Sequence, residues 1–138
     1  MKVDTTYTIL EEETSIIYNG LIEFNEPTLP NVKMKSFACY LRDEKEEING
    51  GLIAKIFFQN FYVSYFWVPE SLRNRGYGKM LIHALEEEAI KRNITKILLD
   101  TYTFQAPEFY EKCGYKEVSR IKDYPKAGID KIYFQKEF

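Results

Sequence analysis

Cysteine is scarce in this chain: Cys39 and Cys113 are the only two, far apart and without CxxC spacing. That excludes a zinc-ribbon ligand set and a dense disulfide framework, and it predicts two small free thiols, buried or half buried, with no metal site. Long apolar runs are missing as well. Nothing approaches the roughly 18 residues needed to cross a bilayer, and residues 1–6 lack the apolar core of a signal peptide. A cytoplasmic protein without a membrane partner is the expectation. Positive charge is not in excess: the net charge is -2 and the isoelectric point about 5.6, so nothing draws the whole molecule to nucleic acid. Any anion site must be local. Internal repeats and low-complexity segments are lacking too.

What is present describes a globular protein. With 138 residues, 45% hydrophobic and 29% charged, the chain is sized for one domain, expected over residues 1–138, and 16% aromatic residues leave many rings to place. Residues 7–10 read as a short strand, and residues 11–24 as a helix with Ile16, Ile17, Leu21 and Ile22 at helical spacing. Pro27 and Pro30 open a loop. Residues 36–41 read as a strand. The charged run from Arg42 to Glu47 with Asn49-Gly50-Gly51 reads as a solvated hairpin turn closed by the glycines. Residues 52–58 and 61–68 are β-branched and aromatic runs parted only by Gln59-Asn60, the pattern of two tightly joined antiparallel strands. From Tyr77 a helix runs, with Met80, Leu81, Ala84, Leu85 and Ala89 as its buried stripe, ending near Asn93. Residues 94–100 form a strand whose order after strand and helix favours a parallel crossover. Pro107 and Gly114 bracket a two-turn helix carrying Phe109 and Tyr110. Residues 115–121 and 131–138 read as the last two strands.

The chemistry concentrates where a strand ends at Trp67-Val68-Pro69-Glu70, a basic loop with glycine comes next, and a helix starts near Gly76. The first amides of a helix have no intrahelical partner and lie at the positive end of its dipole, so several can converge on phosphate oxygens. Gly76 admits a positive φ and a close backbone approach, and Gly78 lets the helix pack tightly on the neighbouring strand. Arg73, Arg75 and Lys79 add charge-assisted hydrogen bonds for a polyanionic ligand. A P-loop fails on spacing because Met80, not Ser or Thr, succeeds Lys79. A GxGxxG dinucleotide fingerprint fails because position 81 is Leu81.

Arg73-Asn74-Arg75-Gly76-Tyr77-Gly78 resembles the signature of the GNAT superfamily of N-acetyltransferases: Gln or Arg, two residues, Gly, one residue, then Gly or Ala. Ala106-Pro107-Glu108-Phe109-Tyr110-Glu111-Lys112-Cys113-Gly114-Tyr115 resembles that superfamily's short helix ending in Tyr, Glu-Lys and Gly-aromatic. The likeness is strong from about Gly50 to Ile121 and topological before that. It implies one α/β domain with a central mixed, twisted sheet splayed into a V and flanked by helices. It implies acetyl-CoA as co-substrate, its pyrophosphate on the amides of Arg73, Asn74, Arg75, Gly76, Tyr77 and Gly78 with Lys79 nearby, its pantetheine arm along Phe66, Trp67 and Val68. Tyr110 stands where the family has a tyrosine serving the departing thiolate, and a phenol protonated at neutral pH suits that role. Thr103 holds the place of a frequent coenzyme-contacting asparagine and supplies fewer hydrogen bonds, with Gln105 as a substitute.

For deprotonating the amine, Glu70 is the first candidate, set against a reading in which it neutralises Arg73 or Arg75. His83 has a suitable pKa but sits mid-helix off the apolar stripe. The implied reaction is transfer of the acetyl group to a primary amine by direct attack, on a small-molecule or protein acceptor. A non-catalytic module that binds acyl-CoA is the alternative. Tyr62, Tyr65 and Tyr124 fit an aromatic cleft for a small amine, core packing or a homodimer interface equally.

Overall fold

The computed structural model describes residues 1–138. They fall into two compact units, Met1–Lys33 and Met34–Phe138, and the α/β architecture lies in the second. The first is built on helix α1 (Glu11–Asn25), whose first turn holds Glu11, Glu12 and Glu13 against the positive end of the helix dipole. Glu13 also accepts the Leu10 amide at 3.2 Å. The expected strand over residues 7–10 does not form; these residues lead directly into the helix, with Leu10 as its N-cap. None of α1 is buried.

The second unit is a six-stranded sheet. Strands β1 (Lys35–Arg42), β2 (Ile48–Phe57), β3 (Asn60–Trp67), β4 (Lys96–Tyr102), β5 (Lys116–Ile121) and β6 (Lys131–Glu137) lie in the order β1-β2-β3-β4-β6-β5. Only β3 and β4 pair in parallel, and helix α2 (Tyr77–Lys91) makes the connection between them that parallel pairing requires. A 3-10 turn, η1 (Glu70–Leu72), precedes α2, and the short helix α3 (Pro107–Lys112) succeeds β4. The mixed sheet expected from the sequence is thus the observed one.

Alternation along the strands sets the core. Leu52 and Ala54 of β2, Phe61 and Val63 of β3, Ile97 and Leu99 of β4, and Ile132 and Phe134 of β6 are buried together with Leu81, Ile82, Leu85 and Ala89 of α2. The stripe on α2 is turned slightly from expectation, for Met80 is 60% exposed and Ile82 takes its place. Asn49-Gly50-Gly51 lies inside β2, and the turn is made by residues 43–47, pinned by the Asp43 carboxylate accepting the Lys45 and Glu47 amides at 2.8 and 3.0 Å. The glycines serve close approach instead. A Cβ on Gly51 would stand 2.4 Å from the Cys39 carbonyl oxygen, and Gly50 has φ +142° with the Trp67 carbonyl oxygen 3.0 Å from where its Cβ would be.

Two irregularities open the sheet between β3 and β4. In the β2–β3 ladder Ile53 pairs with Tyr65 but Ala54 pairs with Val63, so Ser64 is an extra residue, a β-bulge. The β3–β4 ladder runs from Asn60↔Lys96 to Val63↔Leu99 and stops, although β3 continues to Trp67 and β4 to Tyr102. The strands therefore part at the bulge, and the expected V opens there.

Candidate active site

The parting of β3 and β4 leaves a cleft of about 930 Å3. One wall is Val63 to Val68, the other Leu99 to Tyr102 with Phe104, Gln105 and Ala106; Arg73, Asn74, Gly76, Gly78 and Lys79 stand at one end, with Phe109 and Tyr110 from α3. On the first wall, residues beyond Val63 pair with β2 along one edge and have no β4 partner on the other. That free edge presents peptide groups to an extended ligand, in the manner of an added strand.

The turn ahead of α2 is set by local chemistry. The Leu72 and Arg73 amides bond back to Pro69 and Glu70 at 2.9 and 3.1 Å, closing η1. Arg73 Nε donates to the Val68 carbonyl at 3.0 Å, strapping the loop to the end of β3. Asn74 at φ +57° and Gly76 at φ +85° are both left-handed, on either side of Arg75. Alternation of this kind curves successive N–H groups toward one side. Met80 is the first to bond within the helix, to the Gly76 carbonyl at 3.0 Å, so the amides from Asn74 to Lys79 have no backbone acceptor. Gly78 packs as a glycine must, its missing Cβ facing the Phe109 ring at 3.3 Å.

Tyr110 is seated by α3 and by the turn at its end. Pro107 opens the helix, Gly114 at φ +86° ends it, and the Tyr115 amide returns to the Tyr110 carbonyl at 3.0 Å. Lys136 Nζ bonds the Cys113 carbonyl at 2.9 Å and Glu86 at 2.8 Å, tying β6 to both helices. The Tyr110 ring lies among Phe66, Phe109, Tyr115 and Phe134 at centroid distances of 6.1, 5.2, 6.3 and 5.8 Å. Burial in this aromatic box, with lesser contributions from Cys113 and Asp100, pushes the phenol above its ordinary pKa. It stays protonated throughout the neutral range.

The anticipated residues do not all meet. Phe66, Trp67, Val68, Arg73, Asn74, Gly76, Gly78, Lys79 and Tyr110 line the cleft; Arg75, Tyr77, Thr103 and Glu70 do not. Glu70 opens η1 with its side chain exposed, so a role in deprotonating an amine inside the cleft finds no support in this geometry. Thr103 is engaged elsewhere: its Oγ1 accepts the Asp130 amide at 3.2 Å, and its own amide donates to the Asp130 carbonyl at 3.1 Å. Gln105 lines the cleft, its Oε1 accepting from the Tyr102 amide at 3.0 Å and from Thr101 Oγ1 at 3.3 Å. His83 is exposed and 3.4 Å from Glu87. Both thiols are free and half buried, and burial pushes both up, as inert packing groups require.

Sequence reasoning passed over Asp100 as a site residue. It is the first residue of β4 beyond the last parallel pair and the only carboxylate lining the cleft. Tyr62 donates its hydroxyl proton to one Asp100 oxygen, and Lys131 Nζ lies 3.1 Å from the other. Partial burial and this hydrogen bond push the Tyr62 phenol up to about 12. A charge closing the otherwise apolar run Ile97-Leu98-Leu99 was the available signal.

Comparison with known proteins bears on the same residues. The model of the family described as "Acetyltransferase (GNAT) family" matches residues 4–115. Blasticidin-S acetyltransferase of Streptomyces morookaense is 32% identical over 112 residues, covering 80% of this chain and 82% of that protein. The crystal structure of an acetyltransferase from Bacillus cereus superposes with a TM-score of 0.87 at 33% identity over 98% of both chains. A Bacillus anthracis protein described as a candidate streptothricin acetyltransferase, solved with acetyl coenzyme A, shares the fold at a TM-score of 0.65 and 23% identity, over 81% of this chain and 67% of its own.

Proposed function

Since the chain belongs to the GNAT acetyltransferase family and is an acetyl-CoA-dependent acyltransferase, we propose that it acetylates a primary amine of a small acceptor by direct attack on the thioester within the β3–β4 cleft. The observation that supports this most is the sequence of unpaired amides from Asn74 to Lys79 beside Arg73 and Lys79, opening onto a free β3 edge. The amides and the dipole of α2 take the pyrophosphate. Main-chain groups of Phe66, Trp67 and Val68 take the pantetheine arm, which directs the thioester toward the vertex of the V. Two chemically ordinary needs remain, stabilising the oxyanion and easing the thiolate away. An unpaired strand amide serves the first.

Tyr110 serves the second. A thiol has a pKa near ~8.5 and a phenol ~10, so full proton transfer to the thiolate is uphill by about 2 kcal/mol even before burial raises the phenol further. The Tyr110 hydroxyl therefore acts by donating a hydrogen bond to sulfur as charge develops. The attacking nitrogen must be neutral, and its proton leaves to water in the open cleft. One relative is named for blasticidin-S and one structural neighbour is described as a candidate streptothricin acetyltransferase, and a cleft lined by Tyr65, Trp67, Tyr102 and Phe104 suits a small acceptor with flat surfaces. The test is coenzyme thiol release from acetyl-CoA across a panel of primary amines. Amine-dependent release is expected, and its absence for every amine, with acetyl-CoA still bound, would refute the reading.

A further inference from the structure

We infer that Asp100 is the acceptor-recognition residue, holding a cationic nitrogen of the acceptor at the vertex of the cleft; this rests on the proposed acetylation of an amine. The charges lining the cleft are sorted. Arg73 and Lys79 stand at the turn, where an anionic coenzyme belongs, and Asp100 alone offers negative charge. A carboxylate accepts through about four lone-pair sites, and Tyr62 and Lys131 use one on each oxygen. Capacity is left for another donor.

The surroundings already hold an ammonium. Lys131 Nζ lies 5.5 Å from the Tyr133 centroid and 5.8 Å from those of Tyr102 and Tyr124, while paired with Asp100. Aromatic faces beside a carboxylate are what an alkylammonium seeks. Tyr102 and Asp100 belong to the cleft wall, whereas Lys131 lies outside it. The chain's own lysine thus pairs with the carboxylate and competes with an incoming cation for it. The fitting ligand class is a small primary amine carrying a second basic nitrogen, protonated in solution, which pairs with Asp100 while the reacting nitrogen stays neutral.

Competition gives the test its sign. Acetyl-CoA-dependent acetylation is measured over primary amines from benzylamine to spermidine, for the wild type, Asp100→Asn and Lys131→Met. For the best acceptor, Asp100→Asn should raise KM at least about tenfold, the loss expected for a charged hydrogen bond, with kcat changed far less and the thermal shift by acetyl-CoA intact. Lys131→Met should lower KM at least about twofold by removing the competitor. If both variants move KM in the same direction, or Asp100→Asn leaves it unchanged, Asp100 is a structural partner of Lys131 and the inference is overturned. Should Asp100→Asn not fold, the sign of the Lys131→Met effect decides alone. A wild type that binds acetyl-CoA yet acetylates no amine sinks the amine reading itself, an outcome distinct from these.

Discussion

Replacing Gly76 with alanine separates backbone strain from coenzyme contact. Gly76 has φ +85°, and a Cβ built on it meets no atom within 4 Å, so the protein has room for the methyl group and the cost is conformational. A non-glycine residue held left-handed costs about 1–2 kcal/mol. At about 2.1 cal/mol/K per residue, 138 residues give an unfolding entropy near 0.3 kcal/mol/K, so Tm should fall by roughly 3–7 °C. Acetyl-CoA at about 100 times its Kd stabilises the wild type by about 2.7 kcal/mol, or roughly 9 °C on the same entropy; a tenfold loss of affinity would halve that. Gly128 supplies the control, with φ +83° and likewise nothing within 4 Å, far in sequence from the turn. Gly128→Ala should lower Tm equally and keep the full coenzyme shift. Gly76→Ala should lose half of it or more. Equal coenzyme shifts in the two variants, read by differential scanning fluorimetry, would show that the α2 turn does not hold the pyrophosphate.

Tyr110→Phe keeps the ring among its four aromatic neighbours and removes one hydroxyl. Steady-state kinetics should show kcat down about 10- to 100-fold with coenzyme affinity within a factor of two, the loss expected for one charged hydrogen bond. Asp130 is held below the usual carboxylate range, first by the Asp123 amide and then by Arg120. A depressed folded pKa stabilises the protein above the unfolded value near ~3.9, and that contribution disappears as pH falls through the lower folded value. Thermal melts from pH 6 to pH 3 should therefore decline less steeply for Asp130→Asn than for the wild type. Gly51→Ala forces a methyl group to within 2.4 Å of the Cys39 carbonyl oxygen. The β1–β2 ladder must shift, at a cost of about 1–3 kcal/mol, measurable as a fall in the urea midpoint.

The parts legible in the sequence were those set by local chemistry. A basic segment with Gly76 and Gly78 between an aromatic strand and an amphipathic helix announces the turn that opens α2, and Pro107 with Gly114 delimits α3 without any knowledge of its neighbours. Tertiary effects hid the rest. Residues 7–10 read as a strand but enter no ladder, and Asn49-Gly50-Gly51 looks like a turn until the proximity of Cys39 and Trp67 is known. Thr103 offers a hydroxyl to either side of its loop, and only the fold shows Asp130 claiming it. Asp100 gains its place from the bulge at Ser64, where a register shift ends the parallel ladder. A one-residue insertion in a ladder leaves no compositional trace.

That insertion also divides the enzyme's tolerance for change. Past Ser64 the edge proposed for the coenzyme is the peptide chain itself, which almost any substitution preserves, while the opposite wall of the cleft is lined by side chains such as Asp100, Tyr102 and Phe104. On the proposed function, drift along β4 and the loop beyond it can therefore change the acceptor without disturbing the edge that holds the acetyl donor.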